Sequence, residues 1–370
     1  MEPLFSQLHG DGIHDDTNTL QAILDHANDV IYIKNGIYLI TRPLVVHDNT
    51  RLVLSNNAVM RLADGANCAI MENDKLPSRG TNHNITIEGG IWDGNNQNQV
   101  RRSRESRFAL THYEEDYYYG IFMRFVGVRD LHLRDMTIKN PESYGMLISN
   151  IEQFTVEHIT FDYNMLRTNM DGVHVQGVAR NGIIRDIKGA TNDDLVALNC
   201  DDIYACEITR GVIENILVDG LYSDDGYTAV RLLSCGSEMR NISIRNIFGS
   251  YRYYGVSFTH HSVHPGEPVW FDNVSVNGVY CSKSPQCEPN NNEPIIWFAE
   301  GARCGRVSLS DIHRLEYAST KAPTIRVDSD VSIQRLVIRD VSQHFPNGHT
   351  QPLFVNNGDI TNLKCSDIDE

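Results

Sequence analysis

The sequence has no CxxC pair, no apolar run near the roughly 18 residues needed to span a membrane, and no basic run beyond Arg101, Arg102, Arg104 and Arg107. Each absence closes a class of function. Eight cysteines, Cys68, Cys200, Cys206, Cys235, Cys281, Cys287, Cys304 and Cys365, are scattered without zinc-ligand spacing. They argue against a zinc ribbon or a dense disulfide framework, and one pair, Cys281 and Cys287, could bridge a loop. A formal net charge of -16 argues against a nucleic-acid partner, and an anionic ligand would need local Arg or Lys. The opening MEPLFSQLHGDG has neither the basic nor the apolar region of a secretory leader. Unpaired thiols favour a cytoplasmic protein, with secretion the alternative if a leader has been removed.

Helical periodicity is also scarce. Residues 9–27 hold the one convincing helix, with Asp16 or Thr17 as its cap and Leu20, Ile23, Leu24 and Ala27 as an apolar stripe. From Val30 onward the chain reads as short alternating strands punctuated by Gly, Asn and Asp. A helix ahead of many strands suits a cap over the open end of a solenoid, whose exposed edge would otherwise invite pairing.

Self-similarity supports that reading. One set of segments includes VRDLHLRDMTI, IEQFTVEHITF, IENILVDGLY and MRNISIRNIF; a second begins at Tyr119, Tyr144, Asp171, Asp194, Thr228 and Tyr254. PIIWFAE, TIRVD and LFVNN continue the second set. Its third and fifth positions are apolar and point inward, so the fourth and sixth point outward. The outward rows then hold His174, Arg231 and Ser257 at one level, and Arg124, Ser149, Gln176, Asn199 and Thr259 at the next. The expected architecture is all-β, a right-handed parallel β-helix of about nine or ten coils forming one domain over 1–370. Residues 1–45 give a cap and first strands, 46–356 the coils and 357–370 the end. Stretches near 95–118 and 260–293 break the rhythm as loops.

Acidic residues interrupt two successive strands at the same point of the repeat. Asp193 and Asp194 follow Asp171 by 22 and 23 residues, about one coil. Stacked coils would set the three side by side, roughly 4.8 Å between strands, and carboxylates that close raise at least one pKa. This is the candidate active site. A lone Asp is usually a turn residue, and Asp201, Asp202, Asp224 and Asp225 keep that reading. Tyr144 and Tyr254 flank the acidic pair as aromatics over a hydroxyl- and amide-rich floor, the requirement of a sugar chain. His174 is assigned to a subsite, and Arg231 either to a salt bridge with Asp194 or Asp225 or to a substrate carboxylate. His260, His261 and His264 suit a loop or a substrate contact better than a metal site.

At these residues the chain resembles the polygalacturonase family of inverting glycoside hydrolases (glycoside hydrolase family 28), which are right-handed parallel β-helices. GDGIHDDTNTLQAIL resembles the opening shared by pectin-acting β-helices. Asn169 and Asp171 match the family's Asn-Thr-Asp-Gly motif, with Met170 departing from it. Asp193 and Asp194 match Gly-Asp-Asp, with Asn192 in place of Gly. Arg231 matches Arg-Ile-Lys, with Leu233 in place of Lys, and no Gly-His-Gly counterpart lies between 200 and 212. The resemblance implies Asp193 as general acid, Asp171 and Asp194 as the pair that holds and deprotonates water, and hydrolysis with inversion of an acidic, galacturonate-containing polysaccharide or its oligosaccharides. Substrate contacts are expected from Asn169, His174, Gln176, Asn199, Arg231, Tyr144, Tyr254 and His260, with no cofactor and no metal. Nucleic acid and membrane are not expected as partners. The alternatives are a lyase or epimerase on the same scaffold, or a non-catalytic glycan-binding β-helix.

Overall fold

The structure is a computed structural model that describes residues 2–26, 29–75, 80–100, 120–202, 210–260, 270–286 and 292–369. Leu44–Val46, Met71–Asn73, Met123–Arg134, Met146–Asp162, Val173–Gln176, Asp194–Asn199, Thr228–Leu233, Val256–Thr259, Ile296–Phe298, Ile325–Val327 and Phe354–Asn356 stack as parallel rungs, each pairing with the next. These eleven strands make a parallel β-helix. It exceeds the expected count of about nine or ten coils because the short strands at Leu44 and Met71, ahead of the clear repeats, belong to it.

Its register follows the alternation in the sequence. Val173 pairs with Val196, Val196 with Val230, Val230 with Val256, Val256 with Ile296 and Ile296 with Ile325. All six are 0% exposed. Each contributes roughly 1.5–3 kcal/mol by leaving water, and a one-residue slip would put the whole column outside. The first repeat set forms another face, where Ile151, Ala179, Ile213, Met239, Phe271, Cys304 and Ile333 align. Corners use left-handed asparagines: Asn181, Asn215, Asn241 and Asn273 have φ between 54 and 59, and their amides link rung to rung at 3.0, 2.9 and 2.8 Å.

The helix Thr17–His26 buries Leu20, Ile23 and Leu24 of its expected stripe, and Ala27 lies outside the described residues. Asp16 is its N-cap, since its carbonyl accepts the Leu20 N–H at 2.9 Å. The Asp16 carboxylate instead holds the His9 and Gly10 N–H groups, and Asp15 accepts from Thr17. Ahead of the helix, Asp11–Asp15 is a strand on Gly36–Ile40, and Glu2–Phe5 is a further short helix. Among the described residues, no helix is long and apolar enough to cross a membrane. Cys281 carries a free, buried thiol that burial pushes up to about 12. Cys287, its expected partner, lies outside the described residues, as do the arginines at 101–107, Tyr119, His261 and His264.

Candidate active site

Stacking brings the acidic residues to one level. The Gly172 N–H donates to the Asp194 carbonyl at 2.8 Å, and the Gly145 N–H to the Asp171 carbonyl at 2.9 Å. Only glycine fits after Asp171: a Cβ on Gly172 would lie 2.5 Å from the Leu195 carbonyl oxygen and 2.6 Å from the Phe161 ring. The Asp-Gly pair is therefore a packing requirement that holds the carboxylate in place. Asn169, at φ 58, turns the chain into this rung, and Met170 is 0% exposed in the core.

One oxygen from each of Asp171, Asp193 and Asp194 lies within 4.8 Å of the others. Their surroundings differ. Asp194 is buried, with Oδ1 accepting from Thr228 Oγ1 at 2.6 Å and Tyr254 Oη at 3.5 Å, and Oδ2 3.4 Å from Arg231 Nη1. Asp171 is buried, with Oδ2 2.7 Å from His174 Nδ1 and Oδ1 without a hydrogen-bond partner among the described residues. Burial raises its carboxyl to about 6 against the pull of His174. Asp193 is the one that reaches the surface. Burial and the charges of Asp171 and Asp194 drive its pKa well above the usual carboxylate range. The surroundings of Asp193 thus favour its protonated form. The same oxygens offer a donor set for a divalent cation, but Arg231 and His174 already supply positive charge there.

His174 sits between two carboxylates, with Nδ1 on Asp171 and Nε2 3.2 Å from Asp202. Burial opposes its charge, yet the hydrogen bonds to Asp171 and Asp202 raise the imidazole to about 10. It is 1% exposed and stacks on Tyr144 at 4.0 Å between centroids. His174, Tyr144, Tyr254, Gln176 and Asn199, expected as direct sugar contacts, are all buried. His174, Gln176 and Asn199 point away from the main core as parity demanded; neighbours take up the His174 and Tyr144 ring faces, while Gln176 Nε2 and Asn199 Oδ1 have no hydrogen-bond partner among the described residues. Asn199 Nδ2 donates to Asp202 at 2.8 Å. Asn169 and Arg231 do reach the site, Asn169 Nδ2 lying 3.3 Å from Asp193 Oδ2 and Arg231 pairing with Asp194 rather than Asp225. His260 is half-buried against the Glu300 carbonyl.

Asp201 keeps to a turn, and its carboxylate reaches the next coil, accepting the Ser237 N–H at 2.6 Å and Oγ at 2.7 Å. Asp202 does not, because it faces His174, and no spacing rule marks a contact across 28 residues. Three half-buried rings beside the acids, Tyr227, Tyr253 and Trp297, are not among the site residues that the sequence pattern marks. Register could have found them: Asp194 pairs with Thr228 and Val230 with Val256, which puts Tyr227 and Tyr253 in the Asp193 column.

No protein-family model and no curated protein matches the chain. Solved structures do. A family 28 exopolygalacturonase of Yersinia enterocolitica matches with a TM-score of 0.63 at 14% identity, covering 98% of this chain and 76% of that one. The chain has a polygalacturonase-like parallel β-helix fold. That scaffold also carries other work: the A-module of a mannuronan C-5 epimerase from Azotobacter vinelandii matches at TM-score 0.56 and 12% identity over 97% of this chain and 96% of its own. The Streptococcus pneumoniae surface adhesin PfbA matches at 0.54 and 14% over 98% and 91%. Fold alone does not choose among them.

Proposed function

We propose that the chain hydrolyses glycosidic bonds in an acidic, galacturonate-containing glycan or its oligosaccharides, by single displacement with inversion. The observation that carries this reading is the unequal environment of three carboxyls whose nearest oxygens lie within 4.8 Å of one another. Asp193, kept protonated by burial and its neighbours, donates its proton to the glycosidic oxygen as the C–O bond breaks. Water attacks the anomeric carbon from the opposite face and gives its proton to the unpartnered Asp171 Oδ1, while Asp194 helps to hold it. Arg231 and Asn169 flank the sugar, and Arg231 offers a guanidinium to a uronate carboxylate.

The nearest-oxygen spacing is shorter than the roughly 6.5–9.5 Å usual between the carboxyls of an inverting pair. The anomeric configuration of fresh product, read by proton NMR, is therefore the deciding measurement. Inverted product is expected from oligogalacturonate. Retained product would replace single displacement with an ester intermediate on Asp171. An unsaturated product would make the chain a lyase, and C5 inversion without cleavage an epimerase.

The pH dependence follows from the same groups. On the acid side kcat should fall as pH drops through about 6, where Asp171 takes up the proton it must accept in the reaction. Its alkaline limb should lie above the ordinary carboxylate range, where Asp193 loses the proton it donates. Because the carboxyls interact, both limbs belong to the cluster. A profile flat from about pH 4 to about pH 9, across the ordinary carboxyl and imidazole ranges, would remove Asp171 and Asp193 from the reaction.

A further inference from the structure

We infer that a groove along the first repeat set, apart from the acids, binds a neutral glycan chain. The assignment is independent of the hydrolytic reading, and its test reads binding rather than turnover.

The groove arises from a break in register. In the strand Arg51–Leu62, Leu54 pairs with Gly89 and Val59 with Ile91, so Ser55, Asn56, Asn57 and Ala58 stand opposite Gly90 alone. The extra residues rise as a ridge, with Asn56 and Asn57 exposed and Ala58 turned into the core. Two glycines let that ridge close on the sheet. A Cβ on Gly89 would lie 2.2 Å from the Leu54 carbonyl oxygen, and one on Gly90 2.6 Å from the Leu54 side chain, so the floor there is bare backbone. Corners at Asp135 and His158, left-handed at φ 59 and 55, form the other wall. The space between is about 790 Å³, within the roughly 300–1,000 Å³ of ligand clefts.

The lining decides what it takes. Amides of Asn35, Asn56 and Asn57 and hydroxyls of Thr137 and Thr160 border the space, with the Tyr32 ring among them. No Lys or Arg does so among the described residues, and the charges present are already matched. Glu88 pairs with Arg134 at 2.8 Å, and His158 lies 3.1 Å from Asp135 and 3.3 Å from Asp186. An anionic ligand would meet two carboxylates and no free cation, which excludes a uronate chain. Amides and hydroxyls both donate and accept, as sugar hydroxyls require.

Tyr32 supplies the apolar surface for a sugar face. It is 53% exposed, and its Oη accepts from Ser55 Oγ at 3.1 Å, which fixes the ring. It also lines a second cavity of about 940 Å³ beside Phe5, Leu8 and Tyr38, so the ring is open on two sides. Register sets the length of the groove: Tyr32 pairs with Val53, Val53 with Glu88, Glu88 with Arg134, and Arg134 with Glu157, the residue before His158. Four steps of roughly 4.8 Å put the ring about 19 Å from the His158 wall, room for several sugar units.

Calorimetry with hexasaccharides prepared from galactan, arabinan, xylan and mannan tests the assignment. At least one should bind, and Tyr32→Ala should weaken it roughly tenfold, the size expected for losing one stacking contact. Thr160→Arg, which crowds the far end without touching the ring, should weaken it as well. Both positions are exposed, so each variant should melt with wild type. Asp193→Asn should bind as wild type does, and excess hexagalacturonate should not compete. Binding of none of the four sugars, or binding unchanged in either groove variant, would overturn the proposal. Competition by hexagalacturonate, or loss of binding in Asp193→Asn, would place the neutral chain at the acids and overturn it equally.

Discussion

Asp193→Asn is expected to lower kcat on oligogalacturonate by about 10²–10⁴-fold, the range a positioned general acid supplies, with KM changed little. Asparagine keeps the shape of the side chain and can still accept the Asp194 N–H that now reaches Asp193 Oδ1 at 3.0 Å. It cannot give up a proton to a leaving oxygen. The substitution also removes one of three crowded carboxyls, so the fold should melt no lower than wild type, and a loss of activity cannot be assigned to unfolding. Steady-state kinetics and a thermal melt on the same preparation decide the matter. Activity within a few-fold of wild type would end the case for Asp193 as the acid. The contrast is Asp194→Asn, which leaves Arg231 without the carboxylate 3.4 Å away and should disturb structure as well as rate.

Much of this site is a consequence of register, and register was legible. Val173, Val196 and Val230 recur with the same parity, and that recurrence alone places Asp171 beside Asp194 and Asp193 one residue before it. Parity says which way a side chain points, but not what lies over it. His174, Gln176 and Asn199 point away from the core as expected and are nonetheless buried, because exposure depends on segments from other coils that have no fixed spacing. Asp202 shows the same limit: as one of two adjacent aspartates in a turn-like segment it was indistinguishable from Asp201, and only the folded chain gives the two different partners. Tyr144 and Tyr254 illustrate a third gap. An aromatic beside an acid suggests a sugar platform, yet one ring stacks on His174 and the other hydroxyl reaches Asp194. Identity of the residue could not tell a platform from a support.

His174→Leu is expected to destabilise the fold by about 3–5 kcal/mol near pH 8, the scale for removing one partner of a buried ion pair. The residue is 1% exposed and bridges Asp171 at 2.7 Å and Asp202 at 3.2 Å, so leucine would leave two buried carboxylates without their cation. The sign of the pH dependence separates this from simple loss of packing. In the wild type the imidazole is raised to about 10, so its stabilisation is complete below its unfolded value near 6.5 and is lost as pH rises through about 10. Asp171 works the other way: raised to about 6, it costs stability when ionised, and the fold gains as pH falls through that value. Without His174 the Asp171 carboxyl loses the hydrogen bond and charge that hold it down, and its pKa should climb further. Below about pH 6.5 the His174 contribution to the wild type is constant, so the deficit of the variant should shrink between about pH 6.5 and about pH 5 as protonation relieves the buried charge, and the acid limb of kcat should move upward with it. Urea melts at the two pH values, with a pH–rate profile of whatever activity remains, measure both effects. A deficit equal at both pH values, with the acid limb unmoved, would mean that His174 only fills space beneath Tyr144.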